Sequence, residues 1–492
     1  MRVLLANAPA YIKNYNRHFV QAGSRWSFSM PIPKKGGYKD HYLPYPFFLG
    51  YSSALLKRDT EADVKTVDPC ALDFDEETFI SFVKSYGPDV LLMEVPTISF
   101  PLVMEIIKEI KDIVGCKVAL TGGHVTALTE DVMEKHPFID YCLLGEYELT
   151  LRELIKYLGG ERDDGGLGEI EGLAFRDKEK IIVNEKRKFL MELDALPFPD
   201  RNDLAIQHYH DFEIAGKPSA QMLTSRGCPS GCIFCLERHV IYASPLYRRR
   251  APNKIVSEMN LVREKYKAKQ VYFDDETMTM NRNHIRSICE EIIYNGLDMP
   301  WTCMGDITLD YETLKIMTRA GCVGIKFGVE TINTKTLIEV KKTFVDVEKV
   351  KQFVRWCKEL GIWTHATYVI GLPGDTRDDI QRSLKFAIKL DNDSAQFSIA
   401  TPYPGTPFFE LARENGWLLT YDWTLYDGAN HSVISYPWLR KDEIEELFRS
   451  ALKHYYRNAI IRGLINPRRI FRILRAGGMR YAMNKAVCAL RT

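Results

Sequence analysis

Two blocks of alternating strand-like and helix-like segments, separated by an irregular stretch, limit what this chain can fold into more than any other feature. In the first block Val3 to Leu5, Val64 to Val67, Val90 to Met93, Val118 to Leu120 and Tyr141 to Leu144 are short apolar or β-branched runs, with helical periodicity in several intervals. That order predicts an α/β domain over 1–155, a doubly wound parallel sheet that binds ligands beyond the carboxyl ends of its strands. The segments falling there are Asn7-Ala8-Pro9, Pro96-Thr97-Ile98-Ser99, Thr121-Gly122-Gly123-His124 and Gly145-Glu146-Tyr147-Glu148. Residues 156–220 read as a linker, with turn signals at Asp163 to Gly166 and at Leu196 to Asp200 and room for a small hairpin. From 221 to 410 the alternation resumes with Gln221 to Thr224, Gln270 to Phe273, Val323 to Val329, Trp363 to Ile370 and Ala395 to Ala400. Five or six such repeats predict a partial (β/α)6 barrel with its site in the loops after the strands. Residues 411–492 read as a helical region ending in a basic tail.

Composition narrows the class. With 492 residues, 46% of them hydrophobic, the chain can bury more than one core. The opening MRVLLANAP reads as a first strand and not a signal peptide, and no apolar stretch approaches the roughly 18 residues of a spanning helix. Eleven cysteines without a secretory signal point to reduced thiols in the cytoplasm. The net charge of +1 hides an asymmetry: from Leu447 onward there are eleven Lys or Arg and no Asp or Glu, which leaves −10 on the rest. Apolar residues recur near helical spacing with Arg interleaved in Ala459 to Ile465 and Ile470 to Arg475, so this tail is expected to rest on an anionic surface, the inner face of the membrane, and to bias the substrate toward something lipid-like. The competing reading packs the same stripe on the barrel.

The chemistry begins after the first strand of the second block, in Thr224-Ser225-Arg226-Gly227-Cys228-Pro229-Ser230-Gly231-Cys232-Ile233-Phe234-Cys235. Gly and Pro permit the turns that wrap three closely spaced thiolates around one inorganic cluster. A zinc site is the competitor; it normally takes four protein ligands, and His239 would have to be the fourth. Three thiolates on a cubane leave one iron open for an exchangeable ligand. Cys289, Cys303, Cys322 and Cys357 lie in apolar surroundings and read as small core residues.

CxxxCxxC with Phe234 before the last Cys resembles the radical S-adenosylmethionine (SAM) superfamily, and the resemblance runs along the whole chain. Tyr272 to Thr277 is similar to the second-strand segment whose acidic end, here Asp274, Asp275 and Glu276, receives the SAM amino group, although acidic residues after a strand also serve as helix caps. Gly324 to Thr331 is similar to the fourth-strand segment whose Glu, here Glu330, lies near SAM's polar atoms. Tyr368 to Thr376, with Gly371, and Thr401 to Pro407, with Pro402, resemble later loops that close over adenosine and substrate. The resemblance thus implies a 4Fe-4S cluster on Cys228, Cys232 and Cys235, with SAM on the open iron. Arg226 is placed either to tune the cluster by its charge or to form a plain salt bridge.

The first block followed directly by such a barrel resembles the cobalamin-binding class of this superfamily. The match runs through Pro44 to Gly50, Pro88-Asp89-Val90, Pro96 to Phe100, Gly122 to Thr126 and Gly145 to Glu148, which implies corrin contacts from Pro96, Thr97, Ser99, Gly122, Gly123, His124, Thr126, Gly145 and Glu146. The DxHxxG motif that supplies a cobalt ligand elsewhere is absent, so His124 reads as structural. A flavodoxin-like domain without cofactor is the alternative. The implied activity is methylation of an unactivated carbon of a small-molecule or lipid-like substrate through a 5′-deoxyadenosyl radical and methylcobalamin, with flavodoxin or ferredoxin as electron donor. A cobalamin-using radical cyclase or rearrangement enzyme is the nearest alternative. A tRNA methylthiotransferase would need a second cluster, for which Cys70, Cys116 and Cys142 would have to serve, and an RNA-binding domain that is not evident. A non-catalytic cobalamin sensor would not need the Cys loop. Substrate contacts are expected in Trp301 to Asp306 and in the aromatic stretch Tyr421 to Tyr426, and the Arg that many relatives carry near Gly305 is missing. Anaerobic reconstitution is expected to load about four irons per chain, and Cys228→Ala, Cys232→Ala and Cys235→Ala to abolish iron binding and SAM cleavage together; tetrahedral zinc without charge-transfer absorption would contradict this.

Overall fold

The structure, a computed structural model, describes residues 1–7, 9, 11–12, 17–18, 43–161 and 165–465, without the side chains of 11–12, 17–18 and 459–465. Ile470 to Arg475, on which the anionic-surface reading depends, lies outside the described residues, and Ala459 to Ile465 is described as helical backbone alone. Among the described helices none is long and apolar enough to cross a membrane.

The first sheet is built from β1 (Arg2–Asn7), β4 (Asp63–Val67), β5 (Val90–Glu94), β6 (Lys117–Thr121) and β7 (Tyr141–Leu143), with β8 (Leu173–Asp177) and β9 (Lys180–Val183) at one edge. Two-residue strands β2 (Tyr11–Ile12) and β3 (Arg17–His18) pair only with each other. The order β4-β1-β5-β6-β7-β8-β9 is parallel through β7 and antiparallel beyond. The 156–220 stretch therefore does more than connect, because its hairpin finishes the sheet. Both faces of the parallel strands are buried, as βαβ crossovers require. Leu4, Leu91, Met93 and Leu120 pack on Val103, Ile107 and Ile110 of the helix Phe100–Val114, while Val3, Leu5 and Leu92 pack on Leu49, Leu55 and Leu56 of the helix Phe47–Asp59. Strand order reverses at β1, which puts the crevice of the sheet between the ends of β1 and β5.

The second sheet has six parallel strands in sequence order: β10 (Ser219–Met222), β13 (Gln270–Phe273), β14 (Trp301–Gly305), β15 (Cys322–Glu330), β16 (Trp363–Ile370) and β17 (Ser394–Ile399). It is the predicted open barrel. Short strands β11 (Ser225–Arg226) and β12 (Arg248–Arg249) pair antiparallel across its mouth. Alternation along the strands sends Phe273, Cys303, Ile325, Phe327, Ala366, Tyr368, Phe397 and Ile399 into the helix-covered core. The opposite, inner face carries Thr302, Met304, Lys326, Gly328, His365, Thr367, Ser394, Gln396 and Ser398 instead.

The carboxyl-terminal region departs from the expected continuous helical run. Between the helices Pro407–Glu414 and Lys441–Ile465 the chain is irregular, because Gly416 and Gly428 take positive φ, Pro437 cannot continue a helix, and the carboxylates of Asp422 and Asp427 cap local turns.

One buried ion triad fixes the connecting stretch to the barrel. Glu258 of the helix Pro252–Glu264 accepts from Arg201 at 3.0 Å and from Arg250 at 2.6 Å, while the same arginines donate to the carbonyls of Gln221 and Leu223. All three side chains are buried. Glu258→Ala leaves two buried guanidinium groups uncompensated and is expected to cost on the order of 3–5 kcal/mol in urea unfolding, far more than loss of an exposed pair such as Arg263–Glu264.

Candidate functional site

The cysteine loop leaves β11 through Gly227, whose φ of 88° and close approach to the carbonyl oxygen of Leu246 exclude any side chain. Its amide donates to Glu276 Oε2 at 2.9 Å. Farther along, Ile233 N donates to Val340 O and Phe408 N to Ile233 O, so the loop is laced to segments from two other parts of the barrel. Cys232 is buried, Cys228 and Cys235 partly so. Burial pushes the Cys232 thiol up to about 11 and the Cys235 thiol well above its usual value, so thiolates form there only as a cation replaces their protons. That donor set fits an iron–sulfur cluster. His239, the fourth ligand a zinc site would need, is instead engaged through Nε2 with the Cys232 carbonyl at 3.1 Å. Phe234 packs against the barrel core.

The acidic triplet after β13 reaches this loop and caps no helix; Asn281 caps the helix Arg282–Tyr294. Asp275 accepts from Thr224 N at 3.0 Å, Thr224 Oγ1 at 2.9 Å and Ser225 Oγ at 2.5 Å, while Glu276 accepts from Gly227 N and from Tyr242 Oη at 3.1 Å. Asp274 is buried beside them. Glu330 sits at the end of β15 with φ 62°, immediately after a register shift, a conformation costly for a residue with a side chain. Its carboxylate takes Lys342 Nζ at 2.5 Å and Thr367 Oγ1 at 3.4 Å. Gly371, with φ 83°, is held by Tyr436 Oη on its carbonyl at 2.9 Å, and Pro402 is buried in the following loop. Lys342, Tyr242 and Tyr436 escaped the sequence reading. No local pattern in the sequence marks them.

Of the two stretches read for substrate, Trp301 and Cys303 turn into the helix-facing core, with Trp301 Nε1 bonded to Ala320 O. Trp423 instead meets the first domain, its ring 5.1 Å from that of His124, which itself lies 4.2 Å from Phe100.

In that domain the predicted loops converge at the ends of β5, β6 and β7. Gly122, at φ 112°, would place a Cβ 2.7 Å from Val95 O; Thr126 Oγ1 accepts from Gly145 N at 3.1 Å; Ser99 Oγ donates to Pro96 O. Thr97 Oγ1 and His124 Nδ1 are both buried and have no hydrogen-bond partner among the described residues, so the ends of β5 and β6 offer polar atoms to a bound group, as a corrin with amide arms requires. Glu146 is committed elsewhere: Arg226 reaches Glu146 Oε1 at 2.9 Å and Glu148 at 2.7 Å, and Arg248 reaches Glu146 Oε2 at 2.7 Å. The salt-bridge reading of Arg226 is thus the observed one. Cys70 lies on one face of the first sheet and Cys116 and Cys142 on the other, so these three do not converge.

Known proteins resemble the chain in both blocks. Residues 222–387 match the Radical SAM superfamily and residues 49–155 the B12 binding domain. An uncharacterized methyltransferase of Pyrococcus horikoshii is 30% identical over 413 residues, 84% of this chain and 87% of that protein. An anaerobic magnesium-protoporphyrin IX monomethyl ester cyclase of Cereibacter sphaeroides is 25% identical, covering 84% of this chain and 68% of its own. The fold is shared with the radical SAM methyltransferase TsrM of Kitasatospora setae, solved with tryptophan and a SAM analogue, at TM-score 0.65 and 20% identity over 85% of this chain and 77% of that one.

Burial depresses the His124 imidazole to about 3, so it is neutral at physiological pH. Because the folded value lies below the unfolded one near 6.5, protonation favours unfolding: stability is whole above pH 6.5 and falls as the pH drops toward the folded value. Urea unfolding of the apoprotein is expected to lose about 2 kcal/mol from this group between pH 7 and pH 5, and His124→Phe to remove that part of the loss; equal pH slopes in the two proteins would contradict it.

Proposed function

The chain belongs to the cobalamin-binding radical SAM family, and from that membership we propose that it methylates an unactivated carbon of a hydrogen-bonding small molecule held in the barrel mouth. The observation that carries the proposal is the contact between the two sets of loops. A Cβ on Gly123 would stand 2.8 Å from Leu236 Cδ2, and one on Gly145 would stand 2.8 Å from Ile241 O, so the corrin loops and the turn following the last cluster cysteine are already in van der Waals contact. Groups held by the two sets of loops would lie on either side of that seam. When bound, the cluster, SAM and cobalamin supply one-electron cleavage of a sulfonium and delivery of a methyl group to carbon.

The chain's own residues do the rest. Cys228, Cys232 and Cys235 would hold the cluster, Asp274, Glu276, Glu330, Gly371 and Pro402 would surround SAM, and Thr97, Gly122, Gly123 and His124 would cradle the corrin. Asp275, through Thr224 and Ser225, fixes the strand end from which the cysteine loop departs. His124, neutral and buried, offers Nδ1 as a hydrogen-bonding group. The aromatic ring of Trp423 helps to exclude water above it. The inner face of β14 to β17, with Thr302, Thr367, Ser394, Gln396 and Ser398, supports a substrate that carries hydrogen-bonding groups over an entirely apolar one.

The cyclase relative gives ring closure a place as a second reading. Turnover of a metabolite extract with methyl-labelled SAM, and with flavodoxin or ferredoxin as the proposed external donor, separates the two. Methyl transfer is expected to give a product heavier than the substrate by one methyl group in place of hydrogen, about 14 daltons plus the increment of the isotope, one SAM being cleaved and another spent as methyl donor. An unlabelled product would establish ring closure or rearrangement, and turnover unchanged without the donor would remove that partner.

A further inference from the structure

Lys342 carries a buried side chain outside any helix or strand. It follows the short helix Thr334–Glu339, its amide closing onto Leu337 O at 2.8 Å, and its ammonium group is directed at Glu330. The pair is the kind that costs more in desolvation than it returns unless geometry is close, which gives its retention a meaning beyond stability. Two backbone features make room for it. Gly328 lacks the Cβ that would collide with Glu330 Oε1 and Lys342 Nζ, and Glu330 itself occupies the left-handed region after the register shift of β15. The segment bearing Lys342 also presses on the cysteine loop: Ile233 N is bonded to Val340 O, and a Cβ on Gly231 would lie 3.8 Å from Lys341 Cδ. Lys342 thus stands beside the Cys228–Cys232 stretch of the loop, within Coulombic reach of both thiols. Phe344, whose ring centroid is 5.5 Å from Nζ, closes the remaining side.

We propose that Lys342 is a positioning charge for the iron–sulfur cluster, held by Glu330 against the Cys228–Cys232 part of the loop so that its fixed positive charge raises the reduction potential of the cluster. The inference rests on the family reading of the three cysteines and assigns a role to a residue outside them. A cation beside the thiolates stabilises the form carrying the extra electron, and in a site screened from water the effect is not diluted by solvent. Glu330 then does two things: it holds the ammonium group in place, and its own negative charge limits how far the potential rises.

The test is a potentiometric titration of the reconstituted full-length protein without SAM, read by electron paramagnetic resonance of the reduced cluster, with iron content measured alongside. Lys342→Met is expected to shift the midpoint to more negative potential at unchanged iron content, Lys342→Arg to restore it, and Glu330→Gln to shift it the opposite way. Coincident midpoints in wild type and Lys342→Met, both with full clusters, would overturn the proposal. Should Lys342→Met fail to load iron, the Glu330→Gln titration decides: a midpoint at or below wild type overturns the proposal, and one above it supports it. Failure of the wild-type protein to hold a cluster would instead overturn the proposed function.

Discussion

The tie between the cluster loop and the first domain depends on one guanidinium group. Arg226 stands two residues before the first cluster cysteine, is almost wholly buried, and reaches into the other domain to Glu146 and Glu148 while lying 5.2 Å from the ring centroid of Phe48 and 4.9 Å from that of Tyr51. Arg248, its partner across the β11–β12 ladder, completes the tie by taking the second oxygen of Glu146. A planar group with several donors can serve two carboxylates and two aromatic faces at once, which a lysine cannot. Burial pushes the Glu148 carboxyl up, and the permanent charge of Arg226 pulls it back.

From that anchor the site is assembled by short-range contacts in which small residues replace side chains. Gly227 threads past Leu246, Gly122 lies over the Val95 carbonyl, and Gly405 approaches Ala127 and Val240 with 2.9 Å left for a Cβ. The turn between Glu237 and Ile241, a wide π-type turn of a kind common at functional sites, supplies the other half of these contacts. Acidic residues that look like SAM ligands in isolation divide their labour: Asp275 is spent on the scaffold, Glu276 meets the loop amide and Tyr242, and Glu330 pairs with Lys342.

Much of this was legible in the sequence because its signals are local. Strand-like runs such as Val90 to Met93 and Trp363 to Ile370 appear where periodicity put them, and the cysteine spacing announces its chemistry without tertiary context. The hairpin Leu173 to Val183 was legible only as a small hairpin within a linker, since nothing local says that it pairs with β7. The aromatic stretch around Trp423 read as helical because its breakers are scattered, yet Gly416, Gly428 and Pro437 open it into the segment that lies against His124. Lys342 and Arg248 were invisible for a plainer reason. A buried cation is defined by its partner, and these partners lie 12 residues away for the one and 102 for the other.

The glycines that face the turn from both sides have a consequence for how such proteins diversify. Gly123 and Gly145 leave room for Leu236 and Ile241, and Gly405 leaves room for Ala127, so the shape of one module is recorded in the backbone of the other. Neither module is then freely exchangeable. A first domain transplanted from a distant relative would meet a turn shaped for different neighbours, and recombination within this family should conserve the segment from Leu236 to Ile241 as baggage of the corrin domain, although the chain encodes it within the barrel.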